Sequence, residues 1–96
     1  IALKEGVYVA LSGPTFETPA EYGMVRAIGG AAVGMSTVPE VIVAKHQGMD
    51  CFCLSIITDL GGPDISFAVS HEEVLEAANK AMPNVIKIVK GLVNNY

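Results

Sequence analysis

The sequence predicts an α/β fold with a mostly parallel sheet, and two patterns carry that expectation. Apolar runs of strand length alternate along the chain with segments of helical spacing. Each helical segment also opens on a Ser or Thr followed three residues later by Glu: Thr18 with Glu21, Thr37 with Glu40, and Ser70 with Glu73. In such a capping box the hydroxyl accepts from one early helix amide while the Glu returns a bond to the cap backbone. Three of these, each downstream of a strand-like run, gather the strand-to-helix junctions at the carboxyl ends of the strands. There α/β sheets bind ligands, and helix starts offer unpaired amides and a positive dipole end to an anion.

The elements follow in order. "GVYVALSG", residues 6–13, is a short β-rich run stopped by Gly-Pro. "TPAEYGMVRAIGG" then reads as a helix with Thr18 as cap and Pro19 at its first position. Met24, Val25 and Ile28 form its apolar stripe, and Gly29-Gly30 ends it. "AAVGM" is a short buried strand, and "TVPEVIVAKHQG" a second capped helix. "DCFCLSIIT" is a continuous apolar run of strand length, followed by an irregular loop over 59–69. The last helix opens at "SHEEV". Val74, Leu75, Ala78, Met82, Val85, Ile86, Val89 and Val93 keep roughly helical spacing along it. Pro83 should kink or split it, and the polar "NNY" tail should fray.

Composition narrows the class. At 96 residues the chain holds one domain at most, and 51% apolar with 17% charged residues is little charge for a small free-standing surface. That balance points to part of a larger core or to a chain that assembles. No apolar run reaches the roughly 20 residues of a membrane span. The opening "IALKEGVY" lacks a secretion signal and an initiator Met, which fits a fragment. The net charge of −4 and six scattered basic residues argue against a nucleic-acid surface. Cys51 and Cys53 read as buried, reduced thiols on one strand face of a cytoplasmic protein, and no ligand set for a metal surrounds them.

Several residues can carry chemistry, and each has a plain alternative. Phe16 and Glu17 stand just ahead of the first cap. Phe16 can simply anchor the loop beside a solvated Glu17, or the pair can offer a ring face and an acceptor to a flat heterocycle. Ser36 is either part of a cap or a phosphate ligand with adjacent amides. Met35 is core filler unless it lines a site. Thr58 and Asp59 end a buried-looking strand, where an Asp starts a turn or serves a ligand. His71, in the first turn of the last helix, should be neutral, because a cation there opposes the dipole. His46 suits a helix carboxyl end.

Taken together, "SGPTFETPAE", "VGMSTVPEVIVAKHQG", "SIITD" and "SHEEVLEAA" resemble the carboxyl-terminal third of trimeric-type purine nucleoside phosphorylases, over nearly the whole chain and in order. Methylthioadenosine phosphorylases share much of that frame. The resemblance implies a mixed, mostly parallel β-sheet flanked by helices, with residues 1–96 as the carboxyl-terminal part of a single domain. It implies a homotrimer and a pentosyl transfer of purine salvage, in which phosphate displaces the purine and gives ribose 1-phosphate. It implies no cofactor, since phosphate is a co-substrate, no metal, and no nucleic-acid or membrane partner. By the same resemblance Phe16 packs on the base and Glu17 grips its pyrimidine edge. Tyr8 lies near the ribose, Val33, Gly34 and Met35 line the substrate side, and Ser36 ligates phosphate. Thr58 and Asp59 stand at the base, and His71 reaches the ribose 5′-hydroxyl with Val74 beside it. Asp59 and His71 would be the catalytic residues. Asp59 stands where the family carries Asn, and Pro83 falls in a helix that the family runs straight. The family's other phosphate ligands come from its amino-terminal half, so this segment by itself is expected to be inactive. Two rival readings are a methylthioadenosine phosphorylase, suggested by Asp59, and a purine-binding module without turnover; a third is a product with no stable fold of its own.

Overall fold

The computed structural model describes residues 1–61 and 71–96, which fall into two compact units. One holds 4–55 with Gly61, and the other holds Ile1–Leu3, Ile56–Leu60 and 71–96.

The first unit is a β-α-β crossover followed by a helix: β1 (Tyr8–Ala10), α1 (Pro19–Ala27), β2 (Ala32–Gly34) and α2 (Val38–His46). β1 and β2 pair in parallel, Tyr8 opposite Ala32, Val9 opposite Val33 and Ala10 opposite Gly34. A parallel pair cannot be joined by a tight turn, and α1 supplies the crossover it requires.

Both ends of α1 follow from sequence. The Thr18 hydroxyl accepts from the Glu21 amide at 3.2 Å, and Glu21 Oε1 accepts from the Thr18 amide at 2.8 Å. Pro19 occupies a first-turn position, where no intrahelical donor is lost. At the other end Gly29 takes a φ of 92°. The Gly29 amide donates to Arg26 O at 3.1 Å and the Gly30 amide to Val25 O at 2.8 Å, the two bonds of a Schellman stop. Gly30 is required for a second reason, because a Cβ there would lie 2.5 Å from Val25 Cγ1 and 2.8 Å from Val9 Cγ2. Val25 is the one buried apolar residue among those described, so the core sits where α1 closes onto β1. Met24 and Ile28, expected in the same stripe, are exposed.

α2 forms where expected, but its capping box does not. Thr37 precedes the helix at φ 73°, ψ −52°, and its side chain caps no amide. The left-handed backbone takes the hydroxyl away from the early amides, and it bonds the Ser36 hydroxyl instead.

The run at 51–58 is not a strand, so Thr58 and Asp59 do not sit at a strand tip. Cys51 and Cys53 are exposed free thiols rather than buried ones. A strand exists only through its neighbours, and β1 and β2 are the only paired strands among the described residues. Much of the apolar composition is exposed for the same reason: few elements are present to cover it.

The second unit is dominated by α3 (His71–Asn95), one continuous helix with Pro83 inside it, so the expected split does not occur. Val74, Ala77, Ala78, Ala81, Val85, Ile88 and Gly91 are half-buried along one face, and that row keeps its phase across Pro83, which is exposed. Alanine and Met on the amino-terminal side favour the helix, and the proline removes only one donor from 25 residues. The tail does not fray as expected either. The helix includes Asn94 and Asn95, and the Asn95 side-chain Nδ2 donates back to Gly91 O at 2.7 Å. The expected cap at Ser70, and most of the loop over 59–69, lie outside the described residues. No described helix is long and apolar enough to cross a membrane.

Candidate active site

The parallel register places the carboxyl ends of β1 and β2 side by side, and the Leu11 amide extends the pairing by donating to Gly34 O at 2.8 Å. Two loops leave from there, one through Gly13 to α1 and one through Met35 to α2. Gly13 has a φ of 69°, and a Cβ on it would lie 2.6 Å from Met35 Sδ, so the first loop crosses close over the second. The Gly13–Pro14 peptide is cis.

A group of hydroxyls occupies this junction. The Ser36 amide donates to Tyr8 Oη at 3.2 Å, and Tyr8 Oη also lies 3.4 Å from Ser36 Oγ. Ser36 Oγ is in turn 3.2 Å from Thr37 Oγ1. Tyr8 reaches Ser36 by passing over Gly34, where any Cβ would meet the phenol oxygen. Glycine at 34 thus leaves the space through which a residue on one strand touches the loop after the other. Ser36 and Met35 are both exposed at the mouth of this junction. At the start of α2 the Val38 amide donates to Ser36 O at 2.8 Å, closing a tight turn about Thr37, and Pro39 has no amide proton, so Glu40 carries the one early amide with no backbone or cap bond.

Phe16 is half exposed and Glu17 half-buried immediately before the α1 cap. Neither makes a hydrogen bond among the described residues. The reciprocal Thr18–Glu21 bonds behind them hold the Glu21 carboxyl below its usual range, first through the Thr18 backbone and then through its side chain. Glu21 is thereby committed to the cap, which leaves Glu17 as the loop's carboxylate for a ligand.

In the second unit Thr58 Oγ1 donates to Asp59 Oδ1 at 2.9 Å, in a half-buried setting. That bond fixes the carboxylate and leaves Oδ2 for another partner. His71 is the first residue of α3, and Val74 lies one turn further on the same face.

Of the residues named from sequence, the first unit therefore brings together Tyr8, Val33, Gly34, Met35 and Ser36, with Phe16 and Glu17 on the adjoining loop. The second unit holds Thr58, Asp59, His71 and Val74. Sequence reasoning missed Thr37 and Gly13. A glycine before a proline hints at an unusual turn. Nothing in "GMSTVPE" signals a left-handed Thr, since β-branched residues avoid that region.

Comparison with known proteins decides the family. The model of the phosphorylase superfamily matches residues 1–94. The chain belongs to that superfamily. It is 46% identical over 95 residues to Purine nucleoside phosphorylase 1 of Geobacillus stearothermophilus, covering 99% of this chain and 35% of the relative. It is 48% identical over 93 residues to purine nucleoside phosphorylase of Bos taurus, covering 95% of this chain and 32% of the relative. Among solved structures, the Schistosoma mansoni purine nucleoside phosphorylase in complex with adenosine superposes with a TM-score of 0.86 at 37% identity, over 92% of this chain and 32% of that one. A Schistosoma purine nucleoside phosphorylase in complex with guanosine gives 0.87 at 37% identity, over 92% and 33%. The chain thus spans about a third of the length of the relatives it matches. Its strands and helices are a part of the nucleoside phosphorylase fold.

Proposed function

We propose that this superfamily member is part of a purine nucleoside phosphorylase, which uses inorganic phosphate to release the purine base and form ribose 1-phosphate. The observation that carries the reading is the Tyr8–Ser36–Thr37 hydroxyl group at the carboxyl ends of parallel strands. Acceptor-only phosphate oxygens need such donors. The names of the relatives and the nucleosides held by the Schistosoma structures support the purine side.

In this reading Ser36 holds phosphate, and Tyr8, Val33, Gly34 and Met35 form the sugar side. Phe16 supplies a ring face to the base and Glu17 accepts from its N–H groups. Breaking the glycosidic bond leaves a cationic sugar and an electron-rich purine, so donors aimed at the purine strengthen in the transition state. Bound phosphate is both nucleophile and counter-charge. His71 and Val74 serve the 5′ end of the ribose. The proposal extends to a cytoplasmic homotrimer needing no cofactor or metal, and to a site completed by parts of the protein beyond this chain. Phosphate-dependent release of base from inosine, guanosine, adenosine and methylthioadenosine by the whole protein tests it. No product with any of the four would refute it, and base binding without turnover would favour the non-catalytic reading.

Asp59 favours a second reading of substrate preference. An ionised carboxylate repels charge building on a purine, but it accepts from a 6-amino group, and when protonated it donates to the ring. With Oδ1 held by Thr58, Oδ2 is the oxygen available for that contact. Acceptance of adenosine or methylthioadenosine follows. Asp59→Asn should lower the adenosine-to-inosine ratio of kcat/KM by about tenfold, the worth of one charge-assisted bond. An unchanged ratio would show that Asp59 does not read the base.

A further inference from the structure

We infer that Thr37 is a positioning residue for Ser36: its hydroxyl and the Tyr8 phenol together occupy the acceptor sites of Ser36 Oγ, so that the single Ser36 proton turns outward to an anion. The inference rests on the reading of Ser36 as a phosphate ligand.

Three observations carry it. Thr37 gives up the helix cap that its position offers, and its hydroxyl lies 3.2 Å from Ser36 Oγ. It does so at φ 73°, a backbone region that a β-branched residue adopts only when its surroundings impose it. On the other side, Tyr8 Oη already accepts the Ser36 amide proton at 3.2 Å. Its own proton is then the one to give, and Ser36 Oγ lies 3.4 Å away.

The direction of the two hydroxyl bonds follows from counting protons. A serine hydroxyl has one proton and two acceptor sites. A fully deprotonated phosphate oxygen only accepts, so a Ser36 that binds one must donate to it. Both remaining contacts of Ser36 Oγ must then be accepted bonds, from Tyr8 and from Thr37. Each accepted bond polarises the Ser36 O–H further and strengthens its bond to the anion. Thr37 touches neither sugar nor base in this scheme, and it acts only through Ser36.

The test uses the whole protein. Inorganic phosphate binding is measured calorimetrically without nucleoside, and KM for phosphate and for nucleoside are measured separately. Thr37→Val keeps the shape and loses the hydroxyl. It should weaken phosphate binding and raise the phosphate KM by about three- to tenfold, the worth of one hydrogen bond, with the nucleoside KM and Tm near wild type. Thr37→Ser should restore phosphate binding. Thr37→Gly relieves the backbone, so it should raise Tm while still weakening phosphate binding. Wild-type phosphate affinity in Thr37→Val, equal losses for both substrates, or failure of Thr37→Ser to rescue would each overturn the inference. Should Thr37→Val not fold, the glycine variant decides, and unchanged phosphate affinity in it overturns the inference. A wild-type protein that binds phosphate but cleaves no nucleoside would refute the proposed reaction and leave the Thr37 test readable. One that binds no phosphate would remove the premise and overturn both.

Discussion

Gly34→Ala tests the junction most sharply. The backbone at Gly34 cannot retreat, because it pairs with Ala10 and accepts the Leu11 amide at 2.8 Å. An added Cβ would overlap the Tyr8 phenol oxygen and lie 3.1 and 3.3 Å from two ring carbons. The phenol is the far end of a side chain with two torsions, so it can swing aside. The stability cost should therefore fall near the low end for overpacking, about 1 kcal/mol. The swing removes both Tyr8 contacts to Ser36, the accepted amide bond and the hydroxyl bond. At roughly 1 kcal/mol each, phosphate affinity should drop by about ten- to thirtyfold. Phosphate KM and thermal unfolding of the whole protein read the two effects separately. Adding Tyr8→Ala should make room for the methyl and recover the overpacking cost, without recovering phosphate affinity. A Gly34→Ala protein with wild-type phosphate KM would show that Tyr8 does not hold Ser36 in place.

Two further predictions concern the helix ends. Thr18→Ala removes the α1 cap and should cost about 1 kcal/mol by thermal or denaturant unfolding. The Glu21 carboxyl titrates lower in the folded chain than in the unfolded one. Its contribution is thus complete above the ordinary Glu range and lost as pH falls through the depressed folded value. Wild type should lose more stability than Glu21→Gln on acidification below about pH 4, and parallel losses would refute this. Gly29→Ala and Gly91→Ala should act in opposite directions although neither new methyl meets an atom within 4 Å. Alanine at Gly29, at φ 92°, should destabilise by about 1–2 kcal/mol, and in the α3 interior it should stabilise by about 0.5–1 kcal/mol. Chemical unfolding of both variants checks the signs.

What could be read from sequence was local. The α1 cap depends on residues three apart and its stop on two glycines, so both are legible in "TPAE" and "IGG". The cap of α2 was not, because Thr37 answers to Ser36, and through it to Tyr8, 28 residues away from Ser36. The run at 51–58 misled for a related reason. Its apolar residues describe the neighbours a strand would need, not neighbours that are present. Pro83 misled in the opposite direction, since the half-buried row of α3 continues in phase on both sides of it. Ser36 was legible as a candidate phosphate ligand from its place ahead of a helix, Tyr8 entered only through family resemblance, and the Gly34 clearance that joins them is a feature of the three-dimensional fold.

The crossover between β1 and β2 is pinned at both ends, by a reciprocal cap at Thr18 and by a side-chain-free wedge at Gly30. It therefore works as a ruler. One residue inserted into α1 would rotate everything beyond it by about 100° and advance it by about 1.5 Å. Either the wedge would meet Val9 with a bulkier residue, or β2 would slip along β1 and carry the serine to the wrong side of the sheet. Length changes in this protein are thus expected to collect outside residues 18–36, however freely the sequence within them drifts.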